Sequence, residues 1–79
     1  MASEMRIAIL DYLSRVPDAC AADLADVLDL SLPAASMHLL RLTRSGLARR
    51  TYDHHEGRYF HSLTVKGRER LAFLSGGRD

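Results

Sequence analysis

Five arginine side chains lie close together near the middle of the 79-residue chain. They are Arg41, Arg44, Arg49, Arg50 and Arg58. A guanidinium group can neutralise a phosphate or donate two parallel hydrogen bonds to a guanine base. A solvated surface charge is the alternative for any single arginine, but five of them on connected segments favour a shared site. The cluster therefore indicates a surface for a polyanion such as nucleic acid.

The distribution of charge along the chain supports this interpretation, although the net charge is only +1. Residues 1–30 carry six acidic and two basic side chains, a balance of −4. Residues 31–79 carry nine basic and four acidic side chains, a balance of +5. A basic half is the electrostatic footprint that is expected of a nucleic-acid-binding protein.

Histidines offer a second kind of chemistry. His54 and His55 adjoin Glu56, and His61 lies across a predicted hairpin. Imidazole and carboxylate groups can bind a metal ion, but adjacent residues tend to point apart, and no separate ligand cluster is evident. We therefore expect these histidines to be exposed to solvent or to face phosphates, with no metal site. His38 is expected to be structural.

Cys20 is the only cysteine of the sequence, so an internal disulfide is excluded. The acidic residues Asp18 and Asp23 lie near it and disfavour a reactive thiolate, so we expect a buried structural thiol. The sequence shows no glycine-rich phosphate loop, nucleophile motif or acid–base pair. We therefore predict no catalytic residues and no cofactor, and hence a protein that is not an enzyme.

Most of the candidate side chains would be positioned by one helix, predicted from Ser31 to Gly46. Ser31 supplies a start signal, Pro33 fits the first turn and Gly46 supplies a stop. At about 100° per residue, one apolar face is predicted to be buried. It comprises Ala35, His38, Leu39 and Leu42. The presented face comprises Pro33, Ser36, Met37, Leu40 and Arg44, with Arg41 beside it.

An earlier helix is predicted from a cap at Ser3 to about Val16. Its core face comprises Met5, Ile9, Tyr12, Leu13 and Val16. Ile7 and Leu10, with Ser14, form a second, narrower apolar stripe on the far side. This stripe predicts packing against a second copy of the chain, although two partly exposed side chains are the simpler alternative. A chain of this length has a small core, which favours a partner subunit.

A short strand is predicted at residues 19–21 and a second helix at residues 22–29. Leu24, Val27 and Leu28 are expected to be buried, and three aspartates at intervals of three residues are expected on a solvated side. The turn that follows holds no glycine, so Asp29 or its neighbour is expected to adopt the turn conformation.

Downstream of the central helix, two segments rich in β-branched and aromatic residues flank a polar loop that contains Gly57. They predict a hairpin over residues 47–63. Thr64 can cap a last helix over residues 65–74, which following glycines would end.

This order of helix, short strand, helix, helix, strand, strand, helix is that of a winged helix-turn-helix, a mainly helical α+β fold. We predict a single domain over residues 1–79. The sequence has no basic region followed by an apolar run at its start, and no apolar stretch of about 20 residues. A soluble, cytoplasmic protein with no membrane partner is therefore expected.

Residues 21–50 resemble the helix-turn-helix of MarR-type and ArsR-type transcriptional regulators. The pattern is A-x-x-L-A-x-x-L, a Leu-Ser turn, S-x-H-L-x-x-L and then G-L. It is carried by Ala21, Leu24, Ala25, Leu28, Leu30, Ser31, Ser36, His38, Leu39, Leu42, Gly46 and Leu47. Residues 53–71 resemble the MarR wing and its exit, D-x-x-D-G-R followed by L-T-x-x-G. That pattern is carried by Asp53, Glu56 in place of the second Asp, Gly57, Arg58, Leu63, Thr64 and Gly67.

The resemblance implies a homodimeric regulator that binds double-stranded DNA. The helix near residues 32–45 would enter the major groove, and the hairpin over residues 47–63 would form the wing. The DNA-binding residues would be Pro33, Ser36, Met37, Leu40, Arg41, Arg44, Arg49, Arg50 and Arg58. Arg58, flanked by Asp53 and Glu56, would be held extended toward the minor groove.

The presented face of the central helix also permits a different function. Leu32, Pro33, Met37 and Leu40 are apolar where base-reading side chains are commonly polar. Such a surface can contact thymine methyl groups or dock a protein partner. A winged-helix module that binds proteins through this face is therefore the alternative hypothesis, and a DNA-binding protein without sequence preference is a third.

Overall fold

The computed structural model of the chain describes residues 4–76. They form four helices and one two-stranded antiparallel sheet. In chain order these are α1 (Glu4–Arg15), α2 (Ala21–Leu28), α3 (Leu32–Arg44), β1 (Ala48–Asp53), β2 (Arg58–Leu63) and α4 (Val65–Leu74). The predicted mainly helical α+β fold is confirmed, with α2 and α3 as the helix-turn-helix and the β1–β2 hairpin as the wing. The predicted cap at Ser3 lies outside the described residues.

The strand predicted at residues 19–21 is reduced to a single bridge. Ala19 donates its backbone N–H to the carbonyl oxygen of His61 at 3.0 Å and accepts the N–H of His61 at 2.7 Å. The pairing extends no further because α2 begins at Ala21. The bridge covers the edge of β2 that β1 leaves open, and it fixes the start of α2 against the hairpin.

The ends of α3 follow from local backbone chemistry. The Ser31 hydroxyl oxygen accepts the N–H of Ala34 at 3.2 Å, which satisfies one of the donors left over at a helix start. Gly46 has a φ of 77°, a left-handed conformation that glycine adopts without steric cost. The N–H of Leu47 then donates to the carbonyl oxygen of Leu42 at 2.9 Å, so the chain leaves α3 directly into β1.

The turn between α2 and α3 is made by Asp29, which ends α2 with a φ of 54°. The N–H of Leu30 donates to the carbonyl oxygen of Ala25 at 2.8 Å and closes the turn. The prediction for Asp29 is thus confirmed. The prediction that Val27 is buried is wrong, because its side chain is 59% exposed. This eight-residue helix buries only the narrow side that carries Leu24 and Ala25.

The core is built from α1, α2, α3 and the base of the hairpin. Its fully buried larger side chains are Ile9, Leu10, Leu13, Leu24, Leu39 and Leu47. Leu10 is therefore a core residue that has no surface for a second copy of the chain, contrary to the prediction, whereas Ile7 is half-buried. Helix α1 packs against both β2 and α4. Residues outside its predicted core face, such as Leu10, are therefore also buried.

Helix α4 closes the domain over α1. Thr64 caps it as predicted, because the hydroxyl oxygen accepts the N–H of Gly67 at 3.0 Å. Leu71 and Leu74 pack against the core. Among residues 4–76, no helix combines the length and the apolar character that crossing a membrane requires.

Candidate nucleic-acid interface

Helix α3 presents three rows of side chains around its exposed surface. Its buried side comprises Ala35, Leu39 and Leu42, as predicted, whereas His38, predicted on the same face, is half-buried at its edge. The front row, opposite that side, comprises Pro33, Met37 and Arg44, all of them exposed. The flanking rows are Leu32, Ser36 and Leu40 toward the hairpin, and His38 and Arg41 toward α1. Of the DNA-binding residues predicted on α3, Leu40 is half-buried and the others are exposed.

A groove separates α3 from the hairpin. It has a volume of about 360 Å³, with Leu32, Ser36 and Leu40 on the α3 side. Arg50, Arg58, Tyr59 and His61 line it from the hairpin, and residues 20–22 line it from the start of α2. The groove therefore joins the flank of α3 to the inner side of the wing in one continuous surface.

Four of the five clustered arginines form no ion pair with an acidic side chain of residues 4–76. These four are Arg41, Arg44, Arg49 and Arg50. All are exposed. The fifth, Arg58, pairs with Glu56. Uncompensated cations on adjoining elements are what a phosphate backbone requires of a binding surface.

Strand alternation divides the hairpin arginines between its two faces. Arg50 lies opposite His61, and Tyr52 lies opposite Tyr59. Because side chains alternate along a strand, these four share the face that lines the groove, whereas Arg49 lies on the other face. The guanidinium carbon of Arg50 lies 4.3 Å from the centroid of the Tyr59 ring. The ring centroids of Tyr52 and Tyr59 are 5.0 Å apart.

We call Arg50, Tyr52 and Tyr59 the inner wing cluster. The two tyrosines are not among the residues predicted to bind DNA. The alternation of the strands was readable in the sequence, but the register that brings Tyr59 beside Arg50 depends on the pairing of β1 with β2.

Arg58 is folded back against the protein rather than extended from the tip of the wing. Its Nη2 lies 3.0 Å from Oε1 of Glu56, and its Nη1 donates to the sulfur of Cys20 at 3.5 Å. Asp53 does not hold Arg58, because its Oδ1 accepts the backbone N–H groups of His55 and Glu56 at 2.8 and 3.1 Å. The contact with Cys20, and after it the charge of Glu56, raise the pKa of Arg58. The extended conformation predicted for Arg58 is therefore not the one observed.

His61 is buried, contrary to the expectation that the wing histidines are exposed. Only 6% of it is exposed, because the bridge to Ala19 covers the edge of β2. Its Nδ1 lies 3.3 Å from the carbonyl oxygen of Ala19, an acceptor, so we assign the ring proton to Nδ1. Burial lowers the pKa of His61, the bond to Ala19 opposes this, and the charge of Arg50 lowers the pKa further. His54 and His55 are exposed, as expected.

Cys20 is a buried free thiol, as predicted. It directly precedes α2, so its contact with Arg58 ties the wing to the start of the helix-turn-helix. In the described part of the chain, no three His, Cys, Asp or Glu side chains come together as a metal-binding group.

A known protein family matches about three-fifths of the chain, near its start. The family model described as bacterial regulatory protein, arsR family, matches residues 3–50. A curated relative, the arsenical resistance operon repressor of Escherichia coli (strain K12), is 38% identical over 61 residues. The match covers 77% of this chain and 50% of the relative, so the chain spans about half the length of that relative.

Solved structures share the whole fold. A crystal structure of MarR matches with a TM-score of 0.85 at 24% identity, covering 95% of this chain and 52% of that chain. The structure of the S. aureus MepR–DNA complex matches with a TM-score of 0.84 at 23% identity, covering 94% of this chain and 62% of that chain. At these identities the likeness establishes the winged-helix fold alone.

Proposed function

The chain belongs to the ArsR family of bacterial regulatory proteins, a family of DNA-binding transcriptional regulators, and we propose that it binds double-stranded DNA through α3 and the wing. In this proposal α3 enters the major groove, and the hairpin lies against the neighbouring backbone. The DNA bound to S. aureus MepR supports this choice of ligand, since that protein shares the fold. The function proposed is regulation rather than catalysis, and it requires no cofactor.

The observation that carries the proposal is the set of uncompensated arginines on two adjoining elements. Arg41 and Arg44 lie on α3, and Arg49 and Arg50 lie on β1. Each can neutralise a phosphate and release its counterion, which gives affinity that falls steeply with salt. An ordinary solvated surface intersperses both signs of charge, and these four cations have no acidic partner within residues 4–76.

Individual residues take different roles in this proposal. Arg44, in the front row of α3, can reach a phosphate or a guanine, and Ser36 can donate to a phosphate or a base edge. Arg41, on the flank of α3 toward α1, neutralises a phosphate, whereas Arg49 lies on the face of the wing away from the groove. Apolar contacts with thymine methyl groups would come from Pro33, Met37 and Leu40.

The direct test is titration of the full chain with labelled duplexes of random and genomic sequence at low and moderate salt. We expect binding at low salt that weakens strongly as salt rises. Absence of binding at low salt would overturn the proposal. A specificity ratio near one would identify a DNA-binding protein without sequence preference.

The alternative, a module that docks proteins through the apolar face of α3, is not favoured. Leu40 is half-buried in the wall of the groove, and the apolar side chains that remain exposed, Leu32, Pro33 and Met37, share the outer surface of α3 with the cations Arg41 and Arg44. The substitution Met37→Asp distinguishes the two functions. It should abolish a protein dock, whereas DNA binding through arginines should only weaken.

We further propose that the protein acts as a homodimer in the cytoplasm. Ile7 is half-buried on α1, and Val65 is 74% exposed on α4, so apolar surface is available to a second copy. Two copies would place their α3 helices about 34 Å apart on successive major grooves. Light scattering of the wild type and of Ile7→Glu tests this: a dimer that the substitution dissociates is expected, and a wild type that is strictly monomeric would refute it.

A further inference from the structure

The first two turns of α3 present a patch of apolar side chains to solvent. Outside the inner wing cluster, the exposed large apolar side chains of residues 4–76 are Val27, Leu32, Met37, Val65 and Phe73. Leu32, 54% exposed, and Met37, 46% exposed, lie in these two turns, and Pro33 is exposed beside Leu32. We call Leu32, Pro33 and Met37 the apolar patch of α3.

We propose that the apolar patch recognises the C5 methyl group of a pyrimidine, either in thymine or in 5-methylcytosine. Binding is then selective for DNA that carries such methyl groups in the major groove, and it responds to the methylation of cytosine. This inference rests on the proposed function and names the class of DNA that the same surface selects.

The first two turns of α3 offer few groups that could recognise the polar edge of a base. The helix contains no Asn, Gln, Asp or Glu, so it lacks the side chains that pair with adenine or accept the amino group of cytosine. The hydroxyl oxygen of Ser31, the cap, already accepts the N–H of Ala34. Among the exposed residues of these two turns, Ser36 alone has a polar side chain.

The arginines of α3 lie at its other end. Arg41 and Arg44 belong to the last turn, and Arg44 is about 10 Å along the helix axis from Met37. In a helix-turn-helix, the N-terminal residues of the second helix contact the base edges. Phosphates, which Arg41 and Arg44 can neutralise, are the same in every sequence. Selection among sequences therefore depends on the apolar patch and Ser36.

A methyl group is the ligand that suits apolar side chains in the major groove. The C5 methyl group of thymine is the apolar group on the major-groove edge of a base pair. In 5-methylcytosine the same group is attached to the same ring carbon, whereas cytosine and uracil lack it. Burying one methyl group against Leu32 or Met37 should raise the affinity about fourfold. Against a purine, these side chains would displace water from polar edge groups and leave those groups without hydrogen bonds.

The apolar patch is held in position before DNA binds. The bond of 3.2 Å between Ser31 and the N–H of Ala34 fixes the first turn of α3. Pro33 has a fixed φ, and the N–H that it lacks would have no partner in a first helical turn. Ala35 and Leu39 are buried in the core on the opposite side, which prevents rotation of the helix. A surface ordered in advance loses less conformational entropy on binding.

The test compares duplexes that differ only in their C5 methyl groups. The reference is a mixed-sequence duplex of about 30 base pairs, or about three helical turns. A second form has uracil in place of every thymine, and a third has 5-methylcytosine in place of every cytosine. All three have the same phosphates, so the electrostatic contribution to binding is equal. Fluorescence anisotropy at a fixed, moderate salt concentration measures the affinity of the full chain for each form.

The wild type should bind the uracil form more weakly than the reference and the 5-methylcytosine form more tightly. Each methyl group in contact should change the affinity about fourfold. Met37→Gln and Leu32→Gln replace a side chain of the apolar patch with a polar one, and each should bring both affinity ratios closer to one. Val27→Gln is the matched control, since Val27 is 59% exposed on α2, and it should keep the ratios of the wild type.

Each outcome decides a separate point. No binding of any form by the wild type at low salt would remove the proposed function itself. Binding of all three forms with equal affinity would overturn the present inference and leave the proposed function standing. A methyl preference that both Met37→Gln and Leu32→Gln retain in full would also overturn it, because the preference would then arise from the shape of the DNA. A preference confined to thymine over uracil, or to 5-methylcytosine over cytosine, supports the inference for that base and overturns it for the other.

Discussion

The hydroxyl of Thr64 donates a hydrogen bond of 2.7 Å to the carbonyl oxygen of Gly46. Gly46 ends α3, and Thr64 starts α4, so this bond closes the loop of chain that contains the entire wing. The backbone N–H of Thr64 also donates to the carbonyl oxygen of Leu47 at 3.1 Å. The position of the wing relative to α3 is therefore set at the base of the hairpin, by contacts between its two ends.

Removing the hydroxyl of Thr64 should destabilise the fold. Thr64→Val keeps the shape of the side chain but loses the bond to Gly46 and the cap for the N–H of Gly67. We expect the free energy of unfolding, measured with urea, to fall by about 1–2 kcal/mol, as for other lost helix caps. Thr64→Ser retains the hydroxyl and is the matched control. Equal stability of the valine variant and the wild type would contradict this role.

Gly67 should not tolerate alanine, although it lies in a helix. A Cβ at this position would stand 2.7 Å from Cδ1 of Leu63 and would also meet the carbonyl oxygen of Leu47. Helix propensity alone predicts that Gly67→Ala stabilises by about 1 kcal/mol. Overpacking of this kind costs about 1–3 kcal/mol, so we expect net destabilisation in urea unfolding.

Whether Gly67→Ala lowers or raises the free energy of unfolding tests the packing of α4 against the hairpin. Ala72→Gly, at an exposed position of the same helix, measures the propensity contribution by itself. A gain of stability in Gly67→Ala would show that α4 can move away from the hairpin.

Stability should decrease as the solution is acidified below the ordinary pKa of histidine. The pKa of His61 is lowered in the fold from its ordinary 6.5, chiefly by burial, so the unfolded chain takes up this proton first. The stabilisation is thus complete above about pH 6.5 and is lost as the pH falls through the lowered value. Urea unfolding at about pH 7.5 and about pH 5.5 measures the change.

A variant that cannot titrate isolates the contribution of His61. His61→Gln should be less stable than the wild type at neutral pH, because it disturbs a buried position, but its stability should depend less on pH over the same interval. The prediction fails if the variant and the wild type lose equal stability on acidification.

Arg44→Ala should weaken DNA binding to the same extent for all sequences. The front row that carries Arg44 is otherwise apolar, with Pro33 and Met37, so we expect Arg44 to neutralise a phosphate more than to identify a base. The slope of log K against log salt should fall by about 1. Parallel titration of several unrelated duplexes checks this, and a loss of about 1–3 kcal/mol confined to particular sequences would indicate a base contact instead.

Local signals in the sequence determined where the elements begin and end. Ser31, Gly46 and Thr64 act through their own backbone neighbours, and each has the capping or terminating role that its residue type predicts. Asp29 takes the left-handed conformation of the turn for the same reason. Because these interactions span only a few residues, the order of helices and strands and the burial of one α3 face were predictable. The arginine cluster was likewise visible from the positions of the arginines in the sequence.

Only the tertiary structure decided which side chains are engaged by distant partners. Leu10 is buried because α1 packs between β2 and α4, and His61 is buried because Ala19 pairs with it from 42 residues away. Arg58 donates a hydrogen bond to Cys20, and the guanidinium of Arg50 packs on the ring of Tyr59. Neither contact can be predicted from the spacing of residues along a helix or a strand. The spacing of apolar residues along a helix or strand predicts the face on which a residue lies. The residues that cover that face are determined by long-range packing. The sequence therefore determined the fold and its basic surface, and the tertiary contacts determined which of the basic residues remain available to bind.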